Sequence, residues 1–133
     1  MSIKIIDSKV FQELLQVTYH NKLVALALWY VYRVNEPTLT SAHRKQKVWE
    51  GDSGIHMTIP CRALDFSIAG LTDPKRVTED TNNHWEYDPG RPEMRCAICH
   101  DVGKGMHIHL QVCDSTVFYE KGRDSYENLI SKI

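Results

Sequence analysis

The sequence predicts an α+β fold in one domain spanning residues 1–133, with N-terminal helices packed on a small antiparallel β-sheet. Three observations carry this expectation. Apolar residues recur at three-to-four spacing in the first third of the chain, short runs of period-two alternation follow, and turn-forming residues separate those runs. With 42% hydrophobic and 25% charged residues in 133, the chain has ordinary globular composition and enough length for one core.

The elements follow in order. Val10, Phe11, Leu14, Leu15 and Val17 mark one face of a first helix, which His20-Asn21 ends. Residues 22–33 are rich in Leu and Ala with few β-branched side chains, which predicts a second helix buried nearly all round. Asn35-Glu36-Pro37 stops it, because the residue before a proline is pushed out of the helical region. Residues 38–42 and 62–68 read as strands on either side of a loop containing Glu50-Gly51-Asp52-Ser53-Gly54. The polar stretch 70–92, with Pro74, Asn82-Asn83 and Asp88-Pro89-Gly90, is expected to hold little regular structure and to serve as a lid or substrate-binding segment. Residues 94–100 and 106–113 read as strands joined by a hairpin-like loop over 101–105. Residues 124–133 suggest a short helix using Tyr126, Leu129 and Ile130.

Composition also narrows the function classes. A net charge of −1 without blocks of Lys or Arg argues against nucleic acid or an acidic membrane surface as the main partner. The longest apolar run, 23–31, is well short of the roughly 20 residues that cross a bilayer. Asp7 and Glu13 lie upstream of it and Tyr32-Arg33-Val34-Asn35 follows, which is the setting of a buried helix rather than a signal peptide. The expectation is a chain made in the cytoplasm without an export signal, so Cys61, Cys96, Cys99 and Cys113 read as free thiols.

The most informative stretch is Met106-His107-Ile108-His109-Leu110-Gln111-Val112. Strand alternation puts Met106, Ile108, Leu110 and Val112 on one face and His107, His109 and Gln111 on the other. Two imidazoles about 6–7 Å apart on a stiff strand suit a metal site, one as ligand and the other within reach of bound water. An isolated His-x-His is more often the solvent face of an edge strand, so the motif needs partners. Asp65 offers one, since alternation in Cys61-Arg62-Ala63-Leu64-Asp65-Phe66 sets it beside the small Ala63 and away from Leu64 and Phe66. His56, in the glycine-containing Ser53-Gly54-Ile55-His56, offers another.

Taken in order, these patches resemble the zinc peptidases that include the D-Ala-D-Ala carboxypeptidases, lysostaphin-like enzymes and the hedgehog signalling domain. Thr40-Ser41-Ala42-His43-Arg44 is similar to the family's Thr-Ser-x-x-Arg strand end. Ser53-Gly54-Ile55-His56 with Arg62-Ala63-Leu64-Asp65 is similar to its first zinc motif, and Gly105-Met106-His107-Ile108-His109 to its closing His-x-His. The likeness covers about residues 38–113 and is strongest to the phage and prophage branch. Two features depart from the pattern. The spacing from His56 to Asp65 is two residues longer than usual, a bulge that Pro60 could accommodate. The carboxylate that precedes the last ligand in the carboxypeptidases is replaced by His107, as in the endopeptidase branch.

The resemblance implies a hedgehog/DD-peptidase-like fold with Zn2+ held by His56, Asp65 and His109, three protein ligands that leave a fourth position for water. It implies His107 as the catalytic proton acceptor or oxyanion donor, Arg44 as the group that binds a substrate carboxylate or developing negative charge, and Ser53 as a residue orienting a ligand. The implied substrate is an amide bond in the peptide stem or cross-link of peptidoglycan, cut by a phage-type endolysin released at lysis. Hedgehog-like members leave open a non-catalytic zinc protein acting as a binding or structural module.

One motif competes. Cys96-Ala97-Ile98-Cys99-His100 matches the c-type haem attachment pattern, but it falls in a predicted strand of a chain expected to be made without an export signal. A structural zinc site on Cys96 and Cys99 lacks a second Cys-x-x-Cys. Among the remaining histidines, His20 and His100 read as structural or surface residues, and His43 and His84 as possible pocket residues.

Overall fold

In the computed structural model, which describes residues 2–101, 103 and 105–123, the chain is α+β. The helix expected over 124–133 lies outside the described residues. The elements are β1 (Lys4–Ile5), α1 (Ser8–Gln16), α2 (Asn21–Arg33), β2 (Thr38–Ser41), a 3₁₀ turn (Ile55–Met57), β3 (Ala63–Ser67), α3 (Pro74–His84), β4 (Trp85–Glu86), β5 (Ala97–Asp101), β6 (Met106–Gln111) and β7 (Val117–Phe118). Five strands form one sheet in the order β1-β2-β3-β6-β5, and β4 pairs with β7 apart from it.

That sheet is mixed, which corrects the expectation of a purely antiparallel one. Pairing is antiparallel from β2 through β5, but β1 adds to the edge parallel to β2, with Lys4 opposite Thr38. A parallel neighbour requires a long crossover, and α1 and α2 supply it. β1 has only two residues, too few to show a period in the sequence.

β3 and β6 divide the molecule into an apolar and a polar side. Leu64, Phe66, Ile108 and Leu110 join Leu23, Leu26 and Tyr30 of α2 in the core, where the Tyr30 and Phe66 rings lie 4.9 Å apart. Burial of each large side chain contributes about 1.5–3 kcal/mol. The intervening residues, Asp65, His107, His109 and Gln111, emerge on the opposite face. The register sets Asp65 opposite His109 and Ser67 opposite His107.

The helices are less buried than their composition suggests. α2 buries Leu23, Leu26, Tyr30 and Val31, while Val24, Leu28 and Tyr32 are exposed. One sheet covers only one side of it, so an all-round apolar helix keeps an open face. In α1, capped by Asp7 accepting from the Val10 amide at 3.0 Å, only Val10 is buried and Phe11 and Leu15 are exposed.

The stretch 70–92 also differs from expectation, because it contains α3. Asp73 caps this helix by accepting from the Arg76 amide at 3.1 Å, and Pro74 occupies its first turn. The buried residues of α3 are Thr81 and His84, so no apolar stripe announces it. Asn82 clamps α3 to β5, donating to the Ala97 carbonyl and accepting from the Ala97 amide, both at 2.9 Å.

Candidate metal centre

Two sheet strands and one loop build the polar cluster. Asp65 and His109 face each other across the β3–β6 ladder, and residues 42–62 loop over the sheet to deliver His56 from the 3₁₀ turn. Gly54 opens that turn at φ 80°, a left-handed conformation that favours glycine. Ser53 accepts from the Ile55 amide at 3.3 Å, so it orients His56 through the turn's backbone, one step removed from the imidazole. The return to β3 is fixed where Cys61 bridges Tyr19: the Cys61 amide donates to Thr18 and the His20 amide to Cys61, both at 2.9 Å.

The result is a close trio. His56 Nε2 lies 3.1 Å and His109 Nδ1 2.9 Å from Asp65 Oδ1, and the two nitrogens are 3.3 Å apart. All three side chains are buried. Among the described residues this is the group of His, Cys, Asp or Glu side chains that could hold a metal ion.

Outer contacts decide which atoms face inward. His56 Nδ1 is 2.8 Å from the Ala42 carbonyl, which can only accept, so Nδ1 carries a hydrogen and Nε2 of the neutral ring presents its lone pair. His109 Nε2 is 2.9 Å from Gln111 Oε1, which leaves its Nδ1 with the lone pair. Asp65 is an anion: burial would raise its carboxyl, but hydrogen bonds and charge from His109 and His56, when those rings carry a proton toward it, outweigh burial and hold it well below the usual carboxylate range. Arg44 Nη1, 3.5 Å from Asp65 Oδ2, adds a positive charge on the outer oxygen. Three electron-pair donors thus converge within hydrogen-bond distance, a repulsive arrangement unless protons or a cation sit among them. The donor set, two imidazoles and one carboxylate, fits a divalent cation.

Two cavities, of about 260 Å³ and about 410 Å³, open on this cluster and share Arg44, Asp65 and His107. His107 stands at their junction, its Nε2 3.8 Å from Asp65 Oδ2 and its Nδ1 3.4 Å from the Gly105 carbonyl. Arg44 donates to Ser41 Oγ at 3.1 Å and to Asp52 Oδ2 at 3.3 Å, while its Nε has no partner among the described residues. Asp52, which also accepts from the Gly54 and Val48 amides, ties the loop to that guanidinium.

Some features were not expected. His100 lines the smaller cavity, with its ring centroid 4.7 Å from that of His107 and 5.8 Å from that of His109. Its signal in the sequence was concealed, since it depends on cross-strand pairing with His107. His43 and His84 line neither of these two cavities; His43 lines a neighbouring one with Lys9, Glu13 and Arg44, and His84 packs on Trp29 at 5.2 Å and donates to the Asp80 carbonyl. No residue of the expected lid 70–92 lines either cavity, whose walls come from α1, β2, β3, the loop through 44–56 and the β5–β6 hairpin. Cys96 is fully buried, with burial pushing its thiol up to about 12, and Cys99 packs against the core. Neither belongs to a metal-holding group among the described residues. The four cysteines are free thiols.

No family model matches the chain, and neither a curated protein nor a solved structure matches it.

Proposed function

We propose that this chain is a zinc-dependent peptidase that hydrolyses an amide bond in the peptide stem or cross-link of bacterial peptidoglycan, in the manner of a phage endolysin. The observation that carries the reading is the convergence of the His56 Nε2, Asp65 Oδ1 and His109 Nδ1 lone pairs beside an open cleft. Three ligands of this kind hold a catalytic zinc and leave a place for substrate or water. When bound, zinc supplies Lewis acidity, polarising a scissile carbonyl and making a nearby water more acidic.

The chain's own residues do the rest. His107, at the junction of the cavities, takes the proton from the attacking water and returns it to the departing amine. The water's oxygen joins the carbonyl carbon as the C–N bond breaks, so acid and amine are the products. Arg44 holds Asp65 from outside and gives the cleft a positive wall for a substrate carboxylate.

The test is digestion of purified peptidoglycan followed by mass spectrometry of the fragments. Peptide fragments are expected, lost on adding chelator and restored by zinc. Zinc bound at one per chain with no fragment released would favour a binding or structural module of the hedgehog-like kind. Turnover that survives chelation would overturn the reading.

A further inference from the structure

The amide of Gln111 is oriented by a backbone group that cannot be mistaken for anything else. Its Nε2 lies 2.7 Å from the Arg95 carbonyl oxygen, which only accepts, so the NH2 end of the amide must point there. Oε1 then faces His109 Nε2 at 2.9 Å and can only accept from it. The Gln111 backbone is fixed as well, its amide donating to Cys96 at 2.8 Å and its position paired with Ala63 across the ladder. Gln111 is 5% exposed and forms part of the wall of the smaller cavity.

We infer that Gln111 is the positioning residue of the metal centre: it locks His109 in the Nε2–H form and turns its Nδ1 electron pair toward Asp65 and His56. This rests on the reading of the trio as a zinc site and adds to it the residue that decides which atom of His109 binds. Ala42 does the same for His56 from the main chain, where no substitution can remove it. Gln111 is therefore the position at which the preset of the site is open to mutation. Loss of such outer contacts costs about 10–100-fold in metal affinity.

Two variants separate positioning from simple core packing. Gln111→Met keeps the length and burial but removes the acceptor. Gln111→Glu keeps an oxygen that can accept from His109 Nε2–H. Zinc titration against a competing chelator is expected to give a dissociation constant raised about 10–100-fold in Gln111→Met and within about threefold of the parent in Gln111→Glu, because the Nε2–H acceptor is retained. Nitrogen NMR of the metal-free full chain at about pH 8.5, two units above the ordinary imidazole value, should show His109 protonated on Nε2 in the parent and mixed in Gln111→Met. Equal zinc affinity in the parent and Gln111→Met, or a proton on His109 Nδ1 in the metal-free parent, would overturn the inference. If the parent binds no zinc the peptidase reading fails, while the NMR measurement still decides what Gln111 does to His109.

Discussion

His107 and His109 are two residues apart, yet the structure gives them different surroundings. His109 is enclosed by Asp65, His56 and Gln111, whereas His107 touches the cluster only through Asp65 Oδ2 at 3.8 Å and faces both cavities. His109→Ala or Asp65→Ala should therefore abolish zinc binding, measured as metal per chain after dialysis. His107→Ala should keep most of the metal and lower kcat by about 10²–10⁴, the usual contribution of a positioned proton acceptor. Equal metal loss in both histidine variants would remove the distinction. At this scale much was legible, because strand alternation alone puts His107, His109 and Gln111 on one face. The Ala42 carbonyl was not, since every residue has one and no side chain advertises it. His100 was concealed for another reason: it reaches the site through cross-strand pairing with His107, which the spacing along the chain does not reveal.

At the scale of elements, legibility follows apolar periodicity. β3 and β6 were readable because each buries one face, and β1 and α3 were not, one too short and the other packing through Thr81, His84 and Asn82. The capping pair Asp73-Pro74 was the available signal for α3. Asp73→Ala should cost about 1 kcal/mol by denaturant titration and leave the zinc constant unchanged, because α3 lines neither cavity. The loop that delivers His56 is tied by Asp52, and this tie depends on charge. Burial would raise the Asp52 carboxyl, but the Gly54 and Val48 amides and the Arg44 guanidinium outweigh it and hold the group below its ordinary value. A depressed carboxylate adds stability that is complete above the unfolded value near 3.9 and is lost as pH falls through the lower folded value. Asp52→Asn should therefore be less stable than the parent by about 2 kcal/mol at pH 7. That gap should narrow steadily below about pH 4. A gap that stays the same at pH 3 would mean that the Asp52 charge contributes nothing to holding the loop.

For the molecule as a whole, the metal centre lies between parts that are distant in sequence: β3, β6 and the loop over 42–62. Its donors come from all three, so whatever binds among them acts at the point where these parts join. A cation that binds only the folded chain adds stability there. At free zinc one hundred times the dissociation constant the gain is about 2.7 kcal/mol. With an unfolding entropy of about 2.1 cal/mol/K per residue, a chain of 133 residues should then melt about 10 °C higher with zinc than with chelator. The shift should grow with the logarithm of zinc concentration. It should vanish in Asp65→Ala, which lacks one of the three donors. A shift of the same size in Asp65→Ala would locate the stabilising zinc elsewhere on the chain and separate the fold's stability from the trio.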